Sequence, residues 1–172
     1  KYLVDFFFFS KVFDKNFISQ NVKIKNLEAI SKALEKGKGA ILISAHIGNW
    51  ELLAGVLALS GLPLNALARH VYYEPYDRWI VHIRKAVRMT TIYRDGAAKN
   101  FFKLLRKNEI IGLLPDQDVE GLKGKFVPFF GQPAYTTVAP VKIALATGAP
   151  ILVNFLIRQP GGRFKLILGD VI

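Results

Sequence analysis

The apolar positions fall into short runs separated by segments of helical period. "GAILISA" (39–45) is a continuous apolar run that predicts a buried strand, and "NWELLAGVLALSG" (49–61) predicts a helix with Asn49 as N-cap and Gly61 as its stop. "LPLNALAR" (62–69) predicts a strand. "PYDRWIVHIRKAVRM" (75–89) predicts an amphipathic helix with Trp79, Ile83 and Val87 on one face and Arg84, Lys85 and Arg88 nearby. "TTIYR" (90–94) reads as a strand, "GAAKNFFKLLRKN" (96–108) as a basic amphipathic helix, and "EIIGLLPD" (109–116) as a strand. "TTVAPVKIALATG" (136–148) reads as a helix capped by Thr136 and Thr137, and "APILVNFLIRQ" (149–159) with "RFKLILGD" (163–170) as a hairpin around "PGG". Strand–helix alternation at this spacing predicts an α/β fold: a mixed, mostly parallel central sheet flanked by helices, with an antiparallel edge.

The length, 172 residues, suits a single domain with a sizeable core, and 51% of the residues are hydrophobic. No apolar run reaches the ~18 residues of a membrane-spanning helix. The opening "KYLVDFFFFSKVF" is aromatic-rich but too short and too charged to span. The chain opens on Lys1 without Met and ends on "LILGDVI", which reads as mid-domain, so residues 1–172 are expected to be a fragment of a longer chain. With 24 Lys+Arg against 13 Asp+Glu, the net charge is +11, which favours anionic partners. Zinc-finger, RNP-like and basic-region signatures are absent, which argues against nucleic acid, and aromatic richness fits an anionic membrane surface at least as well. The lack of cysteine excludes disulfides, thiolate metal sites and a cysteine nucleophile.

In α/β sheets, sites gather at the carboxyl ends of strands. Four polar clusters fall there: His46–Glu51, Arg69–His70, Arg94–Gly96 and Asp116–Asp118. A turn through Gly48 would let the Glu51 carboxylate fold back onto the His46 imidazole, fix its tautomer and leave the far nitrogen as a general base. Equally open from spacing alone is a satisfied core histidine beside a first-turn acid. The amides at Gly48 and Asn49 are candidates for stabilising an oxyanion. A zinc site lacks ligands, and no serine elbow is present, so a catalytic His46 would activate a hydroxyl of the substrate.

"AHIGNWELL", "YRDGAA", "GLLPDQD", "FVPFFGQPAYTT" and "ALATGAPIL", in that order, resemble the bacterial lipid A late acyltransferases of lauroyl/myristoyl type. These belong to the wider glycerolipid/lysophospholipid acyltransferase superfamily, and the likeness runs from about Gly39 to Arg158. The resemblance implies transfer of a fatty acyl chain from acyl carrier protein to a hydroxyl of a lipid A precursor at the cytoplasmic face of the inner membrane. It implies no cofactor and no metal. It also implies an N-terminal membrane anchor and C-terminal helices that this chain lacks. By position, His46 matches the catalytic histidine and Glu51 its acidic partner. Arg69 and Arg94 become candidates for binding phosphate or the oxyanion. Asp116 and Gln117, with Asp118, become candidates for holding the site loops or contacting the acceptor. The Phe-rich "FVPFFG" (126–131) reads as a turn that either packs in the core or walls an acyl-chain channel. Alternative readings keep the chemistry with another acceptor, such as a phosphatidylinositol mannoside or a lysophospholipid, or make the chain a non-catalytic membrane- or nucleic-acid-binding module.

Overall fold

A computed structural model describes residues 14–94, 97–117 and 121–172. The aromatic opening stretch, Asp95, Gly96 and Asp118 lie outside the described residues. Three elements precede the first predicted strand: helix α1 (Lys15–Asn21), strand β1 (Val22–Lys25) and helix α2 (Glu28–Glu35). Then come β2 (Ala40–Ile43), α3 (Trp50–Leu59), β3 (Leu64–Ala68), α4 (Glu74–Ala86), β4 (Thr90–Tyr93), α5 (Ala97–Arg106) and β5 (Ile110–Leu113). A two-stranded hairpin, β6 (Gly124–Phe129) with β7 (Gln132–Thr137), leads to α6 (Ala139–Thr147), and β8 (Ile151–Arg158) and β9 (Phe164–Val171) close the chain.

Seven strands form one sheet in the order β1-β9-β8-β2-β5-β3-β4. Only the β8–β9 pair is antiparallel, so the α/β reading with a mostly parallel centre holds. The central strands read as unbroken apolar runs because helices cover both sheet faces. Leu42 and Ile110 point into one core with Leu53, Val56 and Leu57 of α3. Their neighbours Ile41 and Ile111 point into the other, with Phe101 and Leu105 of α5. Alternating side chains along a pleated strand require this division.

Helix α3 begins as its sequence dictates. Asn49 Oδ1 accepts from Leu52 N–H at 2.9 Å, satisfying one of the unpaired donors of the first turn. At α6 the threonines do less than expected. They end strand β7, Val138 holds the N-cap position, and only the Thr137 hydroxyl reaches the helix, accepting from Ala139 N–H at 3.3 Å. Of the segment 126–131, only Phe130 and Gly131 form a turn. The segment is most of β6 and the tip of the hairpin, paired from Gly124↔Thr137 to Phe129↔Gln132.

Candidate active site

Strands β2, β5, β3 and β4 are mutually parallel, so their carboxyl ends share one edge of the sheet. His46 follows β2, Asp116 follows β5, Arg69 and His70 follow β3, and Arg94 follows β4. The register between β2 and β5 pairs Ile43 with Leu113. Ser44 N–H then donates to the Leu113 carbonyl at 3.0 Å, so the alignment persists past the strands. Three residues beyond Ile43 and Leu113 lie His46 and Asp116, and their side chains meet.

His46 Nδ1 is 2.8 Å from Asp116 Oδ1, and His46 N–H donates to Asp116 Oδ2, also at 2.8 Å. One carboxylate thus grips both the ring and the backbone of the histidine. Burial pushes the Asp116 carboxyl up, but the His46 N–H, the His46 ring and its own amide together outweigh it and hold it below its ordinary value. At neutral pH the carboxylate can only accept, so the proton of a neutral imidazole sits on Nδ1 and Nε2 carries the lone pair. The His46 side chain remains 30% exposed, and among the described residues no hydrogen bond engages Nε2. The Trp50 ring meets the imidazole edge to face, with centroids 4.8 Å apart, and limits its rotation.

Glu51 is not the partner of His46. It lies on the first turn of α3, beside Trp50, and both its oxygens are taken by Arg84 of α4: Nε donates to Oε2 at 3.0 Å and Nη2 to Oε1. Arg84 Nη1 also donates to the Thr91 hydroxyl of β4 at 3.3 Å. A bidentate guanidinium–carboxylate pair, each side chain only 11% exposed, locks α3, α4 and β4 together. The sequence pattern placed Arg84 near the apolar face of an amphipathic helix; the structure buries it.

Gly48 makes the turn between His46 and α3. Its φ is +68°, and a Cβ there would lie 2.5 Å from the Leu156 carbonyl oxygen of β8. Both the left-handed conformation and the close approach require glycine. Asn49 is buried, and its Nδ2 has no hydrogen-bond partner among the described residues. Arg69 and Gln117 are exposed, and no hydrogen bond or ion pair holds either among the described residues. Arg94 donates its backbone N–H to the Ala68 carbonyl at 3.0 Å, which ties the ends of β4 and β3 together.

A second histidine–carboxylate pair stands at the ends of β3 and β4. His70 Nδ1 is 3.2 Å from Asp77 Oδ2, and the Tyr93 hydroxyl donates to the same oxygen at 2.7 Å. Val71 N–H donates to Asp77 Oδ1 at 3.0 Å, and the His70 and Tyr93 rings stack 3.4 Å apart. These bonds, led by that of Val71, hold the Asp77 carboxyl below its ordinary value, and the bond to Asp77 raises the Tyr93 phenol. The Asp77 carboxylate accepts three internal bonds, and the cluster braces the β3–α4 loop. Among the described residues no group of acidic or histidine side chains has the arrangement of a metal site.

The fold and the His46–Asp116 couple define an α/β domain with a partly exposed histidine–carboxylate pair at the ends of parallel strands. Residues 2–169 match the model of the bacterial lipid A biosynthesis acyltransferases, and the chain belongs to that family. It is 28% identical over 133 residues to a phosphatidylinositol mannoside acyltransferase of Mycobacterium tuberculosis (strain ATCC 25618 / H37Rv), covering 75% of this chain and 42% of that protein. The corresponding protein of Mycolicibacterium smegmatis is 25% identical over 142 residues, or 80% of this chain and 46% of its own length. A lipid A biosynthesis acyltransferase of Haemophilus influenzae is 27% identical over 144 residues, or 82% and 44%. The chain spans less than half the length of these curated relatives.

Proposed function

We propose that the protein transfers a fatty acyl chain from the thioester of acyl carrier protein to a hydroxyl of a lipid A precursor, with His46 as general base. The observation that carries this reading is the 2.8 Å contact of Asp116 with His46 Nδ1, which leaves Nε2 as the proton acceptor. The acceptor oxygen attacks the thioester carbonyl as Nε2 takes its proton. Negative charge gathers on the carbonyl oxygen, for which the amides at Gly48 and Asn49 and the exposed Arg69 are candidates. The intermediate collapses, the carbon–sulfur bond breaks, and the imidazolium returns its proton to the leaving thiolate. The scheme needs neither metal nor acyl-enzyme.

Glu51 holds the framework in this scheme and does not orient the base. Arg94 and Gln117, at the same sheet edge, are proposed to contact acceptor phosphate or sugar. A second acceptor class has a specific observation behind it: the mycobacterial relatives are named for phosphatidylinositol mannoside. Work at an anionic inner-membrane surface, on its cytoplasmic face, fits the net charge of +11. Among the described residues no helix is long and apolar enough to cross a membrane.

The test is an assay of the intact protein with acyl carrier protein thioesters against lipid A precursors, phosphatidylinositol mannosides and lysophospholipids. We expect acyl transfer to the lipid A precursor, and loss of nearly all of it in His46→Ala with the fold retained. Transfer to a mannoside alone moves the protein to the second acceptor. Unchanged turnover in His46→Ala removes the base from the scheme.

A further inference from the structure

The β6–β7 hairpin stands apart from the seven-stranded sheet, and nearly all of it faces outward. Phe126, Phe129 and Phe130 are 71%, 63% and 93% exposed, so the Phe-rich segment neither packs in the core nor walls a channel among the described residues. A lone two-stranded hairpin is marginal in water, and three exposed phenyl rings add to the cost. Helix α6 follows the hairpin and adds exposed apolar side chains. Val138 N–H, at its start, donates to the Lys123 carbonyl at the hairpin base, and Val141 and Leu145, one turn apart, are both exposed.

Three features select the occupant. Pro128 stands opposite Pro133 across the hairpin, and Lys125 lies on β6. Prolines cannot donate to a further strand and an edge lysine opposes one, so sheet extension by a second copy is disfavoured. From Gly121 to Gly169 the sequence carries no Asp or Glu, while Lys123, Lys125, Lys142, Arg158, Arg163 and Lys165 all lie within it. An aromatic tip on a purely basic segment suits an anionic lipid interface. Finally, each hairpin strand is about 20 Å long at ~3.4 Å per residue. That is too short to cross a hydrocarbon core of about 30 Å and long enough to enter its boundary.

We propose that the β6–β7 hairpin, with Val141 and Leu145 of α6, inserts into the interfacial layer of an anionic bilayer. Because β6 follows the Asp116 loop, the hairpin leaves the sheet from the edge that carries His46. Insertion therefore brings the mouth of the site to the lipid surface. The proposal draws on the acyl-transfer reading only for what the site does there.

The chain has no cysteine, so Phe130→Cys in the intact protein provides one thiol within this chain for an environment-sensitive fluorophore. With vesicles of phosphatidylcholine and phosphatidylglycerol, the probe should shift to the blue and be quenched by brominated acyl chains. Both effects should exceed those with phosphatidylcholine alone. A probe at Ile157→Cys, an exposed apolar position of β8, should respond less. Three results overturn the proposal: a probe already shielded without vesicles, meaning the protein's own chain covers the tip; shielding that rises with protein concentration, meaning a second copy does; or a probe that stays in water with anionic vesicles. Acyl transfer is measured on the same sample. Intact transfer with no insertion removes the hairpin proposal alone, and insertion without transfer removes the acyl-transfer reading alone.

Discussion

At the scale of the residue, the account turns on which carboxylate holds His46. The sequence offered Glu51, five positions on, and the likeness to the family supported it. A contact between residues 70 apart depends instead on strand order and register, which a single sequence does not display. The signal was present in another form: "PDQD" ends a strand as "SAH" does, and two acids beside one strand end are unusual in a chain with few acids. In His46, the Nδ1 proton and the bare Nε2 follow from Asp116, so ¹⁵N NMR of labelled imidazoles should show that tautomer in the wild type and in Glu51→Gln. It should be lost in Asp116→Asn, whose amide can also donate. Gly48 makes the turn that the sequence marked for it. Gly48→Ala must displace the Leu156 carbonyl and adopt a left-handed backbone, so we expect a loss of about 2 kcal/mol in stability and impaired turnover, read by denaturant melts and acyl-transfer rates.

At the scale of the element, the helices from α3 onward and the strands of the central sheet from β2 onward were legible because each carries its period, or the unbroken apolar run that burial on both faces imposes; α1, β1 and α2 were not read. The β6–β7 hairpin was not. Its two prolines and its aromatic cluster resemble a turn, and its strands lack a buried face to impose alternation. The α3–α4 clamp was hidden too, because an arginine on an amphipathic helix looks solvated until a partner from another element is known. Breaking the clamp leaves a buried charge unpaired. Arg84→Ala should therefore cost about 3–5 kcal/mol, a drop of roughly 10 °C in melting temperature. The expected loss in Glu51→Ala is similar, with activity per folded molecule much less affected than in His46→Ala.

At the scale of the whole molecule, sheet order decides what meets at the edge that carries His46, and acid stability follows from the same edge. Asp116 and Asp77 both have carboxyls held below the ordinary range in the fold. Each favours the folded state fully above the unfolded value of about 3.9, and that contribution fades as pH falls through the lower folded value. Melting temperature should thus hold steady from pH 7 to about 4 on this account and fall below it, with a shallower fall in Asp77→Asn. In the hairpin proposal, the charge of +11 acts over the same scale and favours approach of the basic segment that carries the hairpin to an anionic surface. The most direct measurement is the turnover of acyl transfer by folded Asp116→Asn beside folded Glu51→Gln. We predict that Asp116→Asn loses about 10²-fold or more in turnover, while Glu51→Gln loses stability and keeps most of its rate. Near-normal turnover in Asp116→Asn, with turnover abolished in a stable Glu51→Gln, would contradict the account.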